Sequence, residues 1–197
     1  MGSDVRKRAK HDQSVRPSIR TCSVTSAGRH RRVMAYDFPR IQFSNLVKSL
    51  LHNFGVVIVG FGVAFLGAAL DSVLGLTGFK SLFTTIAAWL LLATGFLLRA
   101  WATYYFYEQH MKVISVVPQK KLITWGPYRF SRNPLYLGGN VFIFLGAALF
   151  LGSAAGIVLT AINILVVDIW IRREERQLER DFREEWVPYK TQVRRWL

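Results

Sequence analysis

Residues 133–167 read NPLYLGGNVFIFLGAALFLGSAAGIVLTAINILVV, with no Asp, Glu, Lys or Arg anywhere in the block. A bilayer core takes about 17–25 mostly apolar helical residues per crossing, so this block is too long for one straight span. Gly152-Ser153 interrupts it, and the expected form is a tight hairpin of two membrane helices, about 135–151 and 154–171. So short a turn makes them antiparallel neighbours. Gly138, Gly139, Gly146, Ala147 and Ala148 permit close backbone approach between spans.

Upstream of the hairpin, two more stretches are long and apolar enough to cross, about 49–70 and 81–107, the second continuing helical beyond Leu98. The whole chain fits this reading. Its 197 residues are 51% hydrophobic, with a formal net charge of +14 and a mean hydropathy of +0.23. Apolarity and charge are segregated: residues 1–40 hold ten Lys/Arg against three acids. Such blocks exclude a wholly disordered chain and a disulfide-stapled one, and suggest a membrane protein with basic flanks. Cys22, the one cysteine, has no internal disulfide partner, and a structural zinc is not expected.

Orientation follows from the loops. Residues 71–80 carry only Asp71 and Lys80, and the turn at 152–153 carries no charge, whereas 108–132 holds five Lys/Arg and 172–197 holds eight. An even number of crossings puts the basic arm, the 108–132 loop and the tail on one side. The positive-inside rule makes that side cytoplasmic. The expected fold is all-α: a polytopic membrane protein of four transmembrane helices, the last two a hairpin, with both termini cytoplasmic and a cytosolic C-terminal helix. Either a bacterial inner membrane or an endoplasmic reticulum would house it. Residues 1–34 are expected to be a disordered basic arm before a membrane domain spanning 35–197. With a membrane domain directly following, the arm is read as attracted to anionic head groups rather than to nucleic acid. No removable signal peptide is indicated. In the tail, 172–197, the residues Ile171, Leu178, Phe182, Trp186 and Tyr189 share a helical face. The last membrane helix is expected to run on into the cytosol and then fold down through Pro188.

The densest candidate for chemistry is Gly126-Pro-Tyr-Arg-Phe-Ser-Arg-Asn-Pro-Leu-Tyr-Leu-Gly138, on the cytosolic approach to the third span. Pro134 suits a first helical turn, and Asn133 before it is a candidate N-cap. A helix N-terminus beside Arg132 suits a carboxylate or phosphate. The plainer reading is an interfacial anchor of aromatics and arginines. A second constellation, Arg172-Arg173-Glu174-Glu175, sits where the fourth span leaves the membrane. Adjacent carboxylates repel and prefer a cationic partner, although a salt-bridged helix face would also explain them. The hairpin brings the two segments to one end of adjacent helices, where a zwitterion with an amine and a carboxylate would satisfy both.

These residues resemble the integral-membrane methyltransferases that include isoprenylcysteine carboxyl methyltransferase and the phospholipid N-methyltransferases. Their motif is Arg-His-Pro-x-Tyr, a hydrophobic stretch, then Glu-Glu. This chain has Arg132-Asn133-Pro134-Leu135-Tyr136, an apolar hairpin, then Glu174-Glu175. Leu122 to Tyr128 resembles the approach to the motif, and Phe182–Tyr189 with Val193-Arg194-Arg195-Trp196 resembles the C-terminal signature. The resemblance, over about 81–197, implies a methyltransferase using S-adenosylmethionine at the membrane interface on a lipid or lipidated acceptor, either a phospholipid amine or a prenylcysteine carboxylate. It implies that Glu174 holds the methionine amine, and that Lys120, Lys121, Leu122, Ile123, Tyr128, Asn133, Pro134, Leu135 and Tyr136 line the cofactor site. Arg132 and Glu175 would orient it as the catalytic pair. Methyl transfer needs no metal. Two departures stand out. Asn133 replaces histidine, as in phospholipid N-methyltransferases. Trp170 stands where prenylcysteine enzymes carry a substrate-binding arginine, one turn before the glutamate, with Arg172 or Arg173 as stand-ins.

Arg99 is a candidate contact for an anionic substrate or for Glu174, since intramembrane charge is costly and usually paired; snorkelling to head groups is the alternative. Asp168 is expected to pair with Arg99 or Arg172. His110 is a candidate base but more ordinary as a structural residue. A non-catalytic scaffold recruiting anionic lipid or an acidic partner through the arm is the rival function. A sterol-type reductase, needing a dinucleotide site and more spans, ranks last.

Overall fold

The computed structural model describes residues 43–108 and 122–197; the arm at 1–34, His110, Lys120 and Lys121 lie outside them. All regular structure among the described residues is helical. Four helices are long and apolar enough to cross a membrane: Phe43–Leu74, Leu82–Glu108, Pro134–Leu151 and Ala154–Asp181. A tail helix, Arg183–Gln192, follows.

Helix ends fall where backbone chemistry stops them rather than where hydropathy falls. The first span is already helical at Phe43, the first described residue and ahead of the expected start near 49, and it runs past 70 to Leu74. There Gly75 turns to φ 67°, and the Leu76 N–H reaches the Asp71 carbonyl at 2.9 Å. This 6→1 bond is a Schellman stop, which satisfies a carbonyl the helix would leave open. The hairpin turn uses the same device. Gly152 sits at φ 65°, the Ser153 N–H reaches Ala148 at 3.0 Å, and Ser153 then caps the fourth span by accepting from the Gly156 N–H. Asp71, at the end of the first span, accepts from the Ser153 hydroxyl at 2.6 Å and from the Ala155 N–H at 2.9 Å. The turn of the hairpin is thereby tied to the first span.

At the opposite end, Ser49 on the first span bonds the Ala100 carbonyl and the Thr103 hydroxyl on the second. The second and third spans meet backbone to backbone. A Cβ at Gly95 would stand 2.6 Å from the carbonyl oxygen of Gly138, and one at Gly138 would stand 2.7 Å from that of Gly95. The third span is not a uniform α-helix. After one turn from Pro134 it widens into a π-helix over Leu137–Ile143, where the Phe144 N–H reaches the Gly139 carbonyl five residues back. Such segments occur frequently at functional sites.

Two local expectations need correction. Asn133 makes no capping bond to the third span; its amide is drawn instead toward Glu175 and the Arg195 carbonyl. The chain also turns at Phe182 (φ −128°, ψ 36°), and Pro188 lies inside the tail helix. The turn at Phe182 lets Trp186 and Tyr189 pack with Leu122 against Leu178 and Phe182. Pro188 is exposed, so the carbonyl it leaves unbonded can be taken by water.

Gly95→Val should destabilise the bundle by about 1–3 kcal/mol through overpacking. Gly62→Ala, whose Cβ meets nothing within 4 Å, should not. Thermal unfolding in neutral detergent reads the difference.

Candidate active site

Glu174 and Glu175 are neighbours in sequence and opposites in environment, because successive helical residues point about 100° apart. Glu175 follows Ile171 by one turn on the inward face and is 6% exposed. A buried carboxylate needs compensation, and two segments supply it. Arg132 Nη2 lies 3.1 Å from one of its oxygens. Arg195 donates to the other from Nη2 at 2.7 Å and from Nε at 3.1 Å. That bond holds the Arg195 guanidinium above its ordinary pKa. Glu174 is exposed. It accepts from the Tyr136 hydroxyl at 3.1 Å and from the Trp170 indole N–H at 3.0 Å. Both donors are neutral, and among the described residues no cation pairs with Glu174. One carboxylate is neutralised inside the protein. The other is aimed by neutral donors alone.

The loop before the third span is held by the C-terminal segment. The Arg132 N–H donates to the Arg194 carbonyl at 2.9 Å, and its guanidinium lies 5.6 Å from the centre of the Trp186 ring. The Ser131 hydroxyl donates to the Arg195 carbonyl at 3.1 Å, and the Tyr189 hydroxyl to the Tyr128 carbonyl at 2.8 Å. Tyr128 itself packs with Ala102, Ile123, Phe106 and Leu135. Burial, reinforced by Tyr189, pushes its phenol well above the ordinary range, with Arg99 acting the other way. Its hydroxyl is buried with no hydrogen-bond partner.

The residues singled out from sequence therefore separate. Tyr136 meets Glu174, and Arg132 and Asn133 meet Glu175. Ile123, Tyr128 and Leu135 form the apolar floor beside the second span, and Pro134 is buried. Leu122 packs into the tail-helix cluster. Arg99 pairs with neither Glu174 nor Asp168. Its Nη1 donates to the Leu135 carbonyl at 2.6 Å, and its Nη2 lies 3.2 Å from His52 Nε2. Spacing shows which end of a span a charge occupies but not which neighbour the packing turns toward it. Asp168 takes Arg172 at 2.7 Å and Arg195 at 3.6 Å. Arg172 is thus tied within its own helix, and Arg173 is exposed without an ion pair among the described residues.

Sequence reasoning assigned no role to Arg195, Trp170 or His52. Arg195 sits in the C-terminal signature, which was the available signal for it. Trp170 was visible only as a departure. His52 carried no signal, since its partner lies 47 positions away. No group of three or more His, Cys, Asp or Glu among the described residues is placed to hold a metal ion.

Arg132→Ala would leave buried Glu175 with Arg195 alone. It should cost stability near the lower end of the about 3–5 kcal/mol typical of breaking a buried pair, while Arg173→Ala stays within about 0.5 kcal/mol. Denaturation followed by tryptophan fluorescence distinguishes them.

Comparison with known proteins adds one finding. Residues 83–185, more than half of the chain, match the family described as phospholipid methyltransferase. No curated protein and no solved structure matches the chain.

Proposed function

Since this chain belongs to the phospholipid methyltransferase family, we propose that it transfers a methyl group from S-adenosylmethionine to a lipid or lipidated acceptor at the membrane surface. Bound there, S-adenosylmethionine would supply a methyl group on a cationic sulfur and a free amine on its methionine portion. The observation that carries the reading is the contrast within the acid pair. Glu174 is oriented by Tyr136 and Trp170 yet has no cationic partner among the described residues, which suits a ligand amine. Glu175 is already satisfied by Arg132 and Arg195, so its part is to position the loop rather than to bind.

The residues fit the group. The carboxylate is preformed, and the side chains of Ile123, Tyr128 and Leu135 offer an apolar floor next to it. Tyr128 also brings a buried hydroxyl with an unused donor and acceptor. Methyl transfer is an in-line displacement in which acceptor lone pair, methyl carbon and sulfur align. The protein's contribution is therefore placement and exclusion of water. Glu174 would hold the amine and so fix one end of the donor, and the lipid acceptor would approach from the bilayer beside it.

A phospholipid amine is the favoured acceptor class. Trp170 occupies the position of the prenylcysteine enzymes' arginine and spends its N–H on Glu174, which leaves no cation there for a prenylcysteine carboxylate. Four crossings return Asp181 to the side from which Phe43 sets out. The basic flanks make that side cytoplasmic.

Glu174→Gln should weaken S-adenosylmethionine binding more than tenfold, since a hydrogen bond to a charged group is worth about 1.5–3 kcal/mol. Calorimetry on the detergent-solubilised protein measures it. Wild-type affinity in this variant would overturn the reading.

A further inference from the structure

Arg99 lies in the second span, 8% exposed, at the level where the third span begins. Its guanidinium carries a full charge. No carboxylate among the described residues pairs with it. Nη1 is taken by the Leu135 carbonyl at 2.6 Å, and Nη2 faces His52 Nε2 at 3.2 Å. Nε is buried with no partner, as is the hydroxyl of Tyr128, whose ionisation Arg99 influences electrostatically. The third span makes room for this side chain. A Cβ at Gly139 would stand 2.8 Å from Arg99 Nη1, and one at Gly138 would stand 3.1 Å from Arg99 Cβ. A mere tie between two spans would need one neutral donor. A cradled, uncompensated cation inside a membrane protein calls for an anion.

We infer that Arg99 and His52 form an anion site for the phosphodiester of the lipid acceptor. The inference rests on the lipid-acceptor reading above and deepens it. His52 belongs to the first span, before the residues that match the family, and it is half-buried, so a head group can approach its imidazole while Arg99 waits behind it. Leu135, whose carbonyl holds Arg99, and Tyr136, whose hydroxyl holds Glu174, are consecutive. Their Cα atoms are therefore about 3.8 Å apart. A phospholipid amine sits a short chain away from its phosphodiester. Anchoring the phosphodiester at Arg99 places that amine beside whatever Glu174 holds.

The test uses the full chain in neutral detergent and measures calorimetric binding of short-chain phosphatidylglycerol, inorganic phosphate and short-chain diacylglycerol, with S-adenosylmethionine titrated separately. Arg99→Gln and His52→Gln are each expected to weaken phosphatidylglycerol binding at least tenfold without changing S-adenosylmethionine affinity. Diacylglycerol should bind more weakly than phosphatidylglycerol. If Arg99→Gln fails to fold, His52→Gln, at a half-buried position, decides alone. Unchanged phosphatidylglycerol affinity overturns the inference. So does an equal loss of S-adenosylmethionine affinity, which would assign Arg99 to the carboxylate of the methyl donor, and so does binding of free phosphate without the lipid. Wild-type protein that binds phosphatidylglycerol through His52 but takes no S-adenosylmethionine would instead sink the methyl-transfer reading and leave this site standing.

Discussion

The arrangement depends on one requirement: the buried carboxylate of Glu175 must be neutralised. Glu175 sits on the inward face of the fourth helix because Ile171, one turn earlier, is fully buried there. A lone carboxylate in such a place would be costly. The chain meets it from two directions, with Arg132 before the third span and Arg195 after the tail helix. These two cations draw a loop and a terminal strap onto one point. The backbone bond from Arg132 to the Arg194 carbonyl and the side-chain bonds from Ser131 and Asn133 to the Arg195 carbonyl complete the clamp. Arg132 and Arg195 are committed to Glu175, and neither pairs with Glu174.

The two ends of the bundle do different work. At the hairpin turn, Asp71 serves structure alone, accepting from Ser153 and Ala155. At the other end polar groups are left with capacity among the described residues: Glu174 without a cation, Arg99 without an anion, Tyr128 without a partner for its hydroxyl. Buried polar groups are normally satisfied. Their incompleteness at one end, against the pairing of Asp71 and Ser153 at the other, is what the proposed ligand site rests on.

Much of this was legible from sequence because the bilayer imposes coarse rules. A charge-free block interrupted by Gly152-Ser153 has one sensible reading, and the apolar face from Ile171 through Tyr189 anticipated the tail packing. The meeting of Tyr136 with Glu174 followed from hairpin geometry. What escaped depended on competition between partners. Asn133 had a plausible capping role, but a buried carboxylate nearby is a stronger lure for its amide than a helix end. Pro188 looked like a breaker, yet an exposed position made its lost bond cheap. Arg99 had candidate acids on the fourth helix, but the close Gly95–Gly138 approach turned it toward the third span and toward His52 on the first.

The widened segment at Leu137–Ile143 separates two demands on one rod. Before it, the rod presents Tyr136 to Glu174; from Asn140 within it onward, the rod faces Asn163 and the rest of the bundle. A regular helix locks those orientations at about 100° per residue, so satisfying one would dictate the other. An extra residue in the coil works like a slipped gear tooth, letting the end beside Glu174 and the greasy shaft be timed separately. Deleting a single residue there would leave both halves intact and their phasing wrong.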